Sequence, residues 1–193
     1  MNEQPILGRR IVVWGATGSG KSTFTQRLGA ILDLGVVELD AIAHADGWDS
    51  NRGREFGERL AAALDSRANG WVSDGNYGAT RDIYLSRADT LVWLNLPWRV
   101  SFWRLLQRTV HRAWTKEPLY PGSPARESWR LSFASRNSIL WWSISHHRTH
   151  VSNARQRISE LPPSIRVYEL RSAREVDAFL RRAEESMGSR DSR

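Results

Sequence analysis

The chain contains no cysteine. That excludes a disulfide framework, a cysteine-ligated metal and a thiol nucleophile. It also has no apolar run long enough to cross a bilayer as a helix. Met1–Arg10 lacks the apolar core of a secretory signal, so a cytoplasmic location and no membrane partner are expected. Lysine is scarce too: of 28 Lys and Arg residues, only Lys21 and Lys116 are lysine. Arginine is the default cation here, which makes each retained lysine conspicuous. Internal repeats and long linkers are missing as well.

What the chain does have is enough length for one compact domain, at 193 residues, with ten tryptophans and a formal net charge of +7. A length in this range supports a full hydrophobic core. The basic balance suits an anionic ligand, either a nucleotide or a nucleic acid. Charge alone does not separate the two.

The segment Gly15-Ala16-Thr17-Gly18-Ser19-Gly20-Lys21-Ser22 reads G-x-x-x-x-G-K-[ST], the phosphate-binding P-loop. Its glycines let successive backbone N–H groups turn toward a phosphate without Cβ clashes. Lys21 reaches the β- and γ-phosphates, and the Ser22 hydroxyl is placed to ligate Mg²⁺. Thr23 follows in the first turn of a helix whose positive end faces the anion. The context is right: Ile11–Trp14 is a short apolar run suited to a buried parallel strand. After the loop, Phe24, Leu28, Ile31 and Leu32 share one helical face.

Strand and helix patterns alternate, so an α/β fold with a parallel sheet is expected. Strands are predicted near Arg10–Trp14, Val36–Leu39, Trp71–Ser73, Thr90–Leu94 and Ile165–Leu170. Helices are predicted over Lys21–Leu32, Arg54–Ser66, Trp98–Ala113, Glu127–Ser145 and Ala173–Ser186. Thr115–Pro124 contains Pro118, Pro121, Gly122 and Pro124, which excludes helix and central strand. It reads as a flap between two helices or as a surface loop. His146, His147 and His150 have no carboxylate or cysteine at ligand spacing, so they read as a solvated helix end.

Ligands of open α/β sheets bind beyond the carboxyl ends of the strands. Asp40 follows the second predicted strand, with His44 nearby, and Asp74 ends the third. Asp74 has the form of a Walker-B carboxylate, which holds Mg²⁺; the alternative is a turn-forming Asp-Gly pair. Asp40 is placed to orient or deprotonate an acceptor hydroxyl; the alternative is an N-cap for Ala41–Ala45. Arg104, Arg108 and Arg112 recur every four residues and form one helical stripe. Their planar forks suit phosphate, although charged faces are often merely solvated. Trp98, Trp103, Trp114, Trp129, Trp141 and Trp142 read mostly as core or helix-packing residues.

The P-loop, Leu39-Asp40, Trp71–Tyr77 with its D-G-N-Y sequence, and Arg87–Pro97 with its R-A-D-x-x-x-x-L-x-L-P sequence together resemble the bacterial adenylate-kinase-like P-loop proteins. Many of those are labelled DNA topology modulation proteins. The resemblance runs from about Arg9 to Leu180. It implies a three-layer nucleoside/nucleotide-kinase-like sandwich with a five-stranded parallel sheet ordered 2-3-1-4-5. It further implies a single P-loop kinase-like domain over 1–193, with a lid insertion at about 104–130. Arg104 and Arg108 match the two lid arginines of adenylate kinases in place and spacing. Arg171-Ser172-Ala173 corresponds to their adenine-holding loop. The chain departs where adenylate kinases place the arginine that clamps an acceptor monophosphate. Asn76-Tyr77-Gly78 stands there, with Arg81 and Arg87 later, and Asn95 replaces a common carboxylate. Asp40 is similar in place to the aspartate that shikimate- and gluconate-type kinases use on a hydroxyl acceptor.

The expectation is therefore ATP- and Mg²⁺-dependent phosphoryl transfer to a small-molecule acceptor. Lys21, Asp40, Arg104 and Arg108 would be catalytic. Residues Gly15 to Thr23 and Arg171 would bind ATP, and Ser22 and Asp74 would hold Mg²⁺. The alternative is a nucleic-acid-associated ATPase or a nucleotide-binding regulatory protein, since tryptophan and arginine interleave from Trp93 to Trp142.

Overall fold

The computed structural model describes residues 7–44, 53–75, 78–116 and 139–191. Its strands are β1 (Arg10–Gly15), β2 (Gly35–Glu38), β3 (Trp71–Asp74), β4 (Thr90–Leu94) and β5 (Arg166–Leu170). They pair in parallel in the order β2-β3-β1-β4-β5. The expected strand order and the expected fold class are both present. The helices are α1 (Lys21–Leu32), α2 (Leu39–His44), α3 (Gly53–Asp65), α4 (Arg81–Leu85), α5 (Trp98–Thr115), α6 (Ile139–Ser159) and α7 (Ala173–Asp191).

Both faces of the sheet are covered, which is why its strands read as nearly continuous apolar runs. Ile11 and Val13 point to one face, where they join Phe24 and Leu28 of α1 and Phe179 and Leu180 of α7. Val12 and Trp14 point to the other, where they join Leu60 and Leu64 of α3, Tyr84 of α4 and Ala154 of α6. Each fully buried leucine of this kind contributes roughly 1.5–3 kcal/mol. Strand β1 lies between β3 and β4; the connection leaving β1 runs through α1 on one face of the sheet, whereas that leaving β3 runs through α4 on the other. The crevice that forms at such a point opens at the carboxyl end of β1, where the P-loop begins.

Helix α6 departs from the sequence reading, which ended this helix at Ser145. It continues to Ser159, so His146, His147 and His150 lie within it rather than at its end. Val151, Ala154 and Ile158 hold it against the sheet through the cluster containing Trp14 and Trp93. The polar run between them hides that apolar stripe in the sequence. Residues 127–138 of the predicted helix lie outside the described set, as does 117–124 of the Pro/Gly segment.

A second departure concerns tryptophan. Trp14, Trp71 and Trp93 are core residues, but Trp103 is 59% exposed, Trp114 80% and Trp141 52%. These three do not pack inside, because they project from the outer faces of α5 and α6. Trp98 stacks on Phe102 with ring centroids 4.9 Å apart. Trp129 lies outside the described residues.

The R-A-D segment works at the far end of the sheet. Asp89 Oδ2 accepts the backbone N–H groups of Arg9 and Arg10, each at 3.0 Å. Thr90 Oγ1 donates to Asp89 Oδ1 at 2.8 Å. Arg87 forks onto Asp65 at 2.8 and 3.1 Å, tying the turn after α4 to the end of α3. This part of the family-like sequence therefore anchors the fold, away from the P-loop.

Candidate active site

The P-loop leaves β1 and enters α1 through two left-handed glycines, Gly18 at φ +81° and Gly20 at φ +89°. Gly18 has a further reason to lack a side chain: a Cβ there would collide with the Ser101 carbonyl oxygen of α5. Helix α5 thus lies directly against the loop. Arg104 Nη1 donates to the Ser19 carbonyl at 3.4 Å, which places the guanidinium over the loop.

Lys21 is half-buried, and its Nζ donates to the Gly15 and Ala16 carbonyls at 2.9 and 3.1 Å. Burial pushes its ammonium pKa down; the negative fields of Asp74 and Asp40 oppose this, and Arg108 adds to it. Lys21 therefore feels the charges of three of the groups expected from the sequence: Asp74, Asp40 and Arg108.

Ser22 Oγ donates to Asp74 Oδ2 at 2.7 Å. Asp74 is only 4% exposed, and its Oδ1 is buried with no hydrogen-bond partner among the described residues. Burial pushes the carboxyl above the usual carboxylate range; the Ser22 hydroxyl and Lys21 oppose this, while Asp40 and Glu38 reinforce it. The following Gly75 has φ +137°, and a Cβ there would lie 2.9 Å from Leu39 Cδ2. Glycine at this position lets β3 end tightly beside α2 and Asp40. No group of three His, Cys, Asp or Glu residues capable of holding a metal occurs among the described residues. A carboxylate–hydroxyl pair with an orphaned oxygen instead fits Mg²⁺, which keeps waters and phosphate oxygens among its ligands.

Asp40 sits in the first turn of α2, exposed on the rim. Helix α2 ends at His44, whose side chain lies outside the described set. Asn76 and Tyr77 lie outside it as well.

A cavity of about 390 Å³ opens beside the loop, lined in part by Gly18, Ser19, Gly20, Thr23, Arg104 and Arg108. Its far wall is Ala173, Val176, Asp177 and Leu180 of α7. The structure thus gathers the P-loop, both expected arginines and the first turns of α7 around one space. Arg112 lies farther along α5 and is not among the lining residues. Arg171 turns away: its guanidinium pairs with Glu169 at 2.6 Å, and its backbone N–H donates to Glu175 at 2.8 Å. Asn95 donates to the same Glu169 at 2.6 Å. Ser172 caps α7 by accepting the Glu175 N–H at 3.2 Å. This S-x-x-E capping box is legible in the sequence.

His150 was missed by the sequence reading. It is half-buried and hydrogen-bonded to the Gly15 backbone; burial, then Lys21 and His147, push its imidazole pKa down. Its signal in the sequence is the apolar stripe of Val151, Ala154 and Ile158, which carries α6 past the histidines.

No protein-family model matches the sequence, and no curated protein matches it. Solved structures do. The shikimate kinase from Acinetobacter baumannii, in complex with shikimate, superposes with a TM-score of 0.56 at 14% identity, covering 94% of both chains. The shikimate kinase from Bacteroides thetaiotaomicron gives 0.52 at 16% identity, covering 93% of this chain and 98% of that one. A kinase-like protein from Chloroflexus aurantiacus gives 0.52 at 16% identity, covering 98% and 99%. At these identities the likeness shows the fold alone, which the chain shares with these proteins over nearly its whole length.

Proposed function

We propose that this protein is a phosphotransferase that moves the γ-phosphoryl group of ATP onto a hydroxyl of a small molecule. The observation that carries this reading is the Ser22–Asp74 hydrogen bond of 2.7 Å beside the half-buried Lys21. In one place it joins a phosphate cradle, a cation and a carboxylate with a spare oxygen. The cavity between the loop and α7 has the size of a nucleotide-binding cleft.

In this reading the loop amides and Lys21 hold the β- and γ-phosphates, and Ala173 and Val176 border the nucleoside. Ser22 and Asp74 hold Mg²⁺, which when bound supplies positive charge to the phosphate oxygens. Arg104 and Arg108 stabilise charge that spreads over the transferring group. Asp40 accepts the proton as the acceptor oxygen bonds to the γ-phosphorus and the bond to the ADP oxygen breaks. The likeness to shikimate kinases supports a hydroxyl acceptor.

The test is ADP release from MgATP across nucleosides, nucleoside monophosphates, sugar acids and oligonucleotides, with Lys21→Ala as the blank. Acceptor-dependent release by one small molecule supports the reading. ATP binding with no acceptor-dependent release contradicts it.

The exposed Trp103, Trp114 and Trp141 favour a second reading, a nucleic-acid-associated ATPase of the DNA topology modulation type. Exposed aromatics stack on bases while arginines neutralise phosphates. Release stimulated by oligonucleotides alone would select it.

A further inference from the structure

On the opposite face of the sheet from the nucleotide cavity lies a second, smaller cavity of about 90 Å³. Trp14 and Trp93, cross-strand neighbours of β1 and β4, form one side. Arg81 from the start of α4 and His150, Asn153 and Arg157 from α6 form the rest, with Ala154 between them. None of these residues lines the nucleotide cavity.

The lining is rich in donors and contains no carboxylate. Some arginines elsewhere pair with carboxylates, Arg87 with Asp65, Arg59 with Glu55 and Arg171 with Glu169, and others, such as Arg67 and Arg182, donate to backbone carbonyls. Among the described residues, Arg81 and Arg157 pair with no carboxylate. The Arg81 guanidinium lies instead 5.9 Å from the centre of the Trp14 ring. Arg81 Nε and Trp14 Nε1 are buried beside the buried Tyr84 hydroxyl, the one group among the described residues that faces both, which leaves the rest of each guanidinium fork to another acceptor. Buried donors are costly unless something accepts from them. Two guanidinium forks, an indole N–H and an amide match an oxyanion with several lone pairs. The volume is well below that of a site for a whole ligand, so it suits one anionic group. His150 borders both this cavity and the Gly15 backbone, so an anchored ligand would reach the loop.

We infer that this cavity is an oxyanion subsite, and that it takes the carboxylate or phosphate of the phosphoryl acceptor. The acceptor is then an anionic, hydroxyl-bearing small molecule. Its role as acceptor rests on the phosphotransferase reading; binding of the anion does not.

The test follows the Trp14 indole resonance in two-dimensional ¹H–¹⁵N spectra, assigned by its loss in Trp14→Phe. The protein is first saturated with MgADP to fill the P-loop. Inorganic phosphate is titrated in one arm and glycolate in the other, which distinguishes the two anion types. The expected result is a saturable Trp14 shift in at least one arm. Arg157→Gln should weaken it about tenfold or more, and Arg157→Lys should do so less. Arg81→Gln provides the second variant, and thermal melts confirm that each variant is folded. A Trp14 resonance unmoved in both arms overturns the subsite, as does binding unchanged in folded Arg157→Gln and Arg81→Gln. MgADP binding by the wild type is read in the same experiment. If it is absent, the nucleotide-site reading fails; if it is present with Trp14 unmoved, the subsite alone fails.

Discussion

Asp74 is held under opposing demands. Burial raises its carboxyl pKa while Ser22 donates to one oxygen and the other has no partner among the described residues. A carboxyl whose folded pKa lies above its unfolded value of about 3.9 costs stability once ionised. That cost is absent below the unfolded pKa and grows as pH rises through the folded pKa. Asp74→Asn should therefore raise the melting temperature of nucleotide-free protein at neutral pH, with the gain vanishing near pH 3. The same variant should lose Mg²⁺-dependent ATP binding. A melting temperature lowered at neutral pH would show that Asp74 is structural. Lys21→Ala should reduce phosphoryl transfer by about 10²–10³-fold or more, the scale of removing one group that stabilises transition-state charge, with far-UV circular dichroism unchanged. Asp40→Asn should cut turnover far more than ATP affinity; equal loss of both would make Asp40 a metal or structural residue. Lys21, Ser22, Asp74, Arg104 and Arg108 were legible as a set, because motif spacing and strand-end position fix them locally. His150 and the turned-away Arg171 were not, because their neighbours Gly15 and Glus 169 and 175 are set by tertiary packing and side-chain pairing.

At the scale of elements, α5 and the P-loop are fitted to each other at Gly18. Gly18→Ala must bear both a positive φ and the Ser101 carbonyl, a strain of about 1–3 kcal/mol. It should weaken ATP binding by displacing Arg104, measurable by calorimetry. Asp89 makes the contrasting prediction. It satisfies two backbone donors at the far end of β1, so Asp89→Ala should cost about 1–3 kcal/mol of stability while ATP affinity stays unchanged. A loss of affinity without a loss of stability would place Asp89 in the site instead. The five strands were readable from apolar runs, which both-face burial produces. Helix α6 was not, because its stripe of Val151, Ala154 and Ile158 is interrupted by histidine, serine and arginine.

The molecule as a whole is basic, with a net charge of +7, and no described helix is long and apolar enough to cross a membrane. Its sheet separates two cavities, one beside α1 and α7 and one under α6, with the P-loop between them. That division suits a donor on one side and an anionic acceptor on the other. It also predicts how binding responds to salt. A pocket-bound nucleotide should lose little affinity between low and moderate salt, whereas oligonucleotide binding should fall steeply through counterion release. The central claim, transfer of a phosphoryl group, is tested most directly by ³¹P nuclear magnetic resonance of the protein with MgATP and hydroxy acids or sugar phosphates. A new phosphomonoester resonance growing in step with ADP, and absent with Lys21→Ala, is the predicted result. Growth of inorganic phosphate alone, or no loss of the γ-phosphate signal with any acceptor, would contradict it.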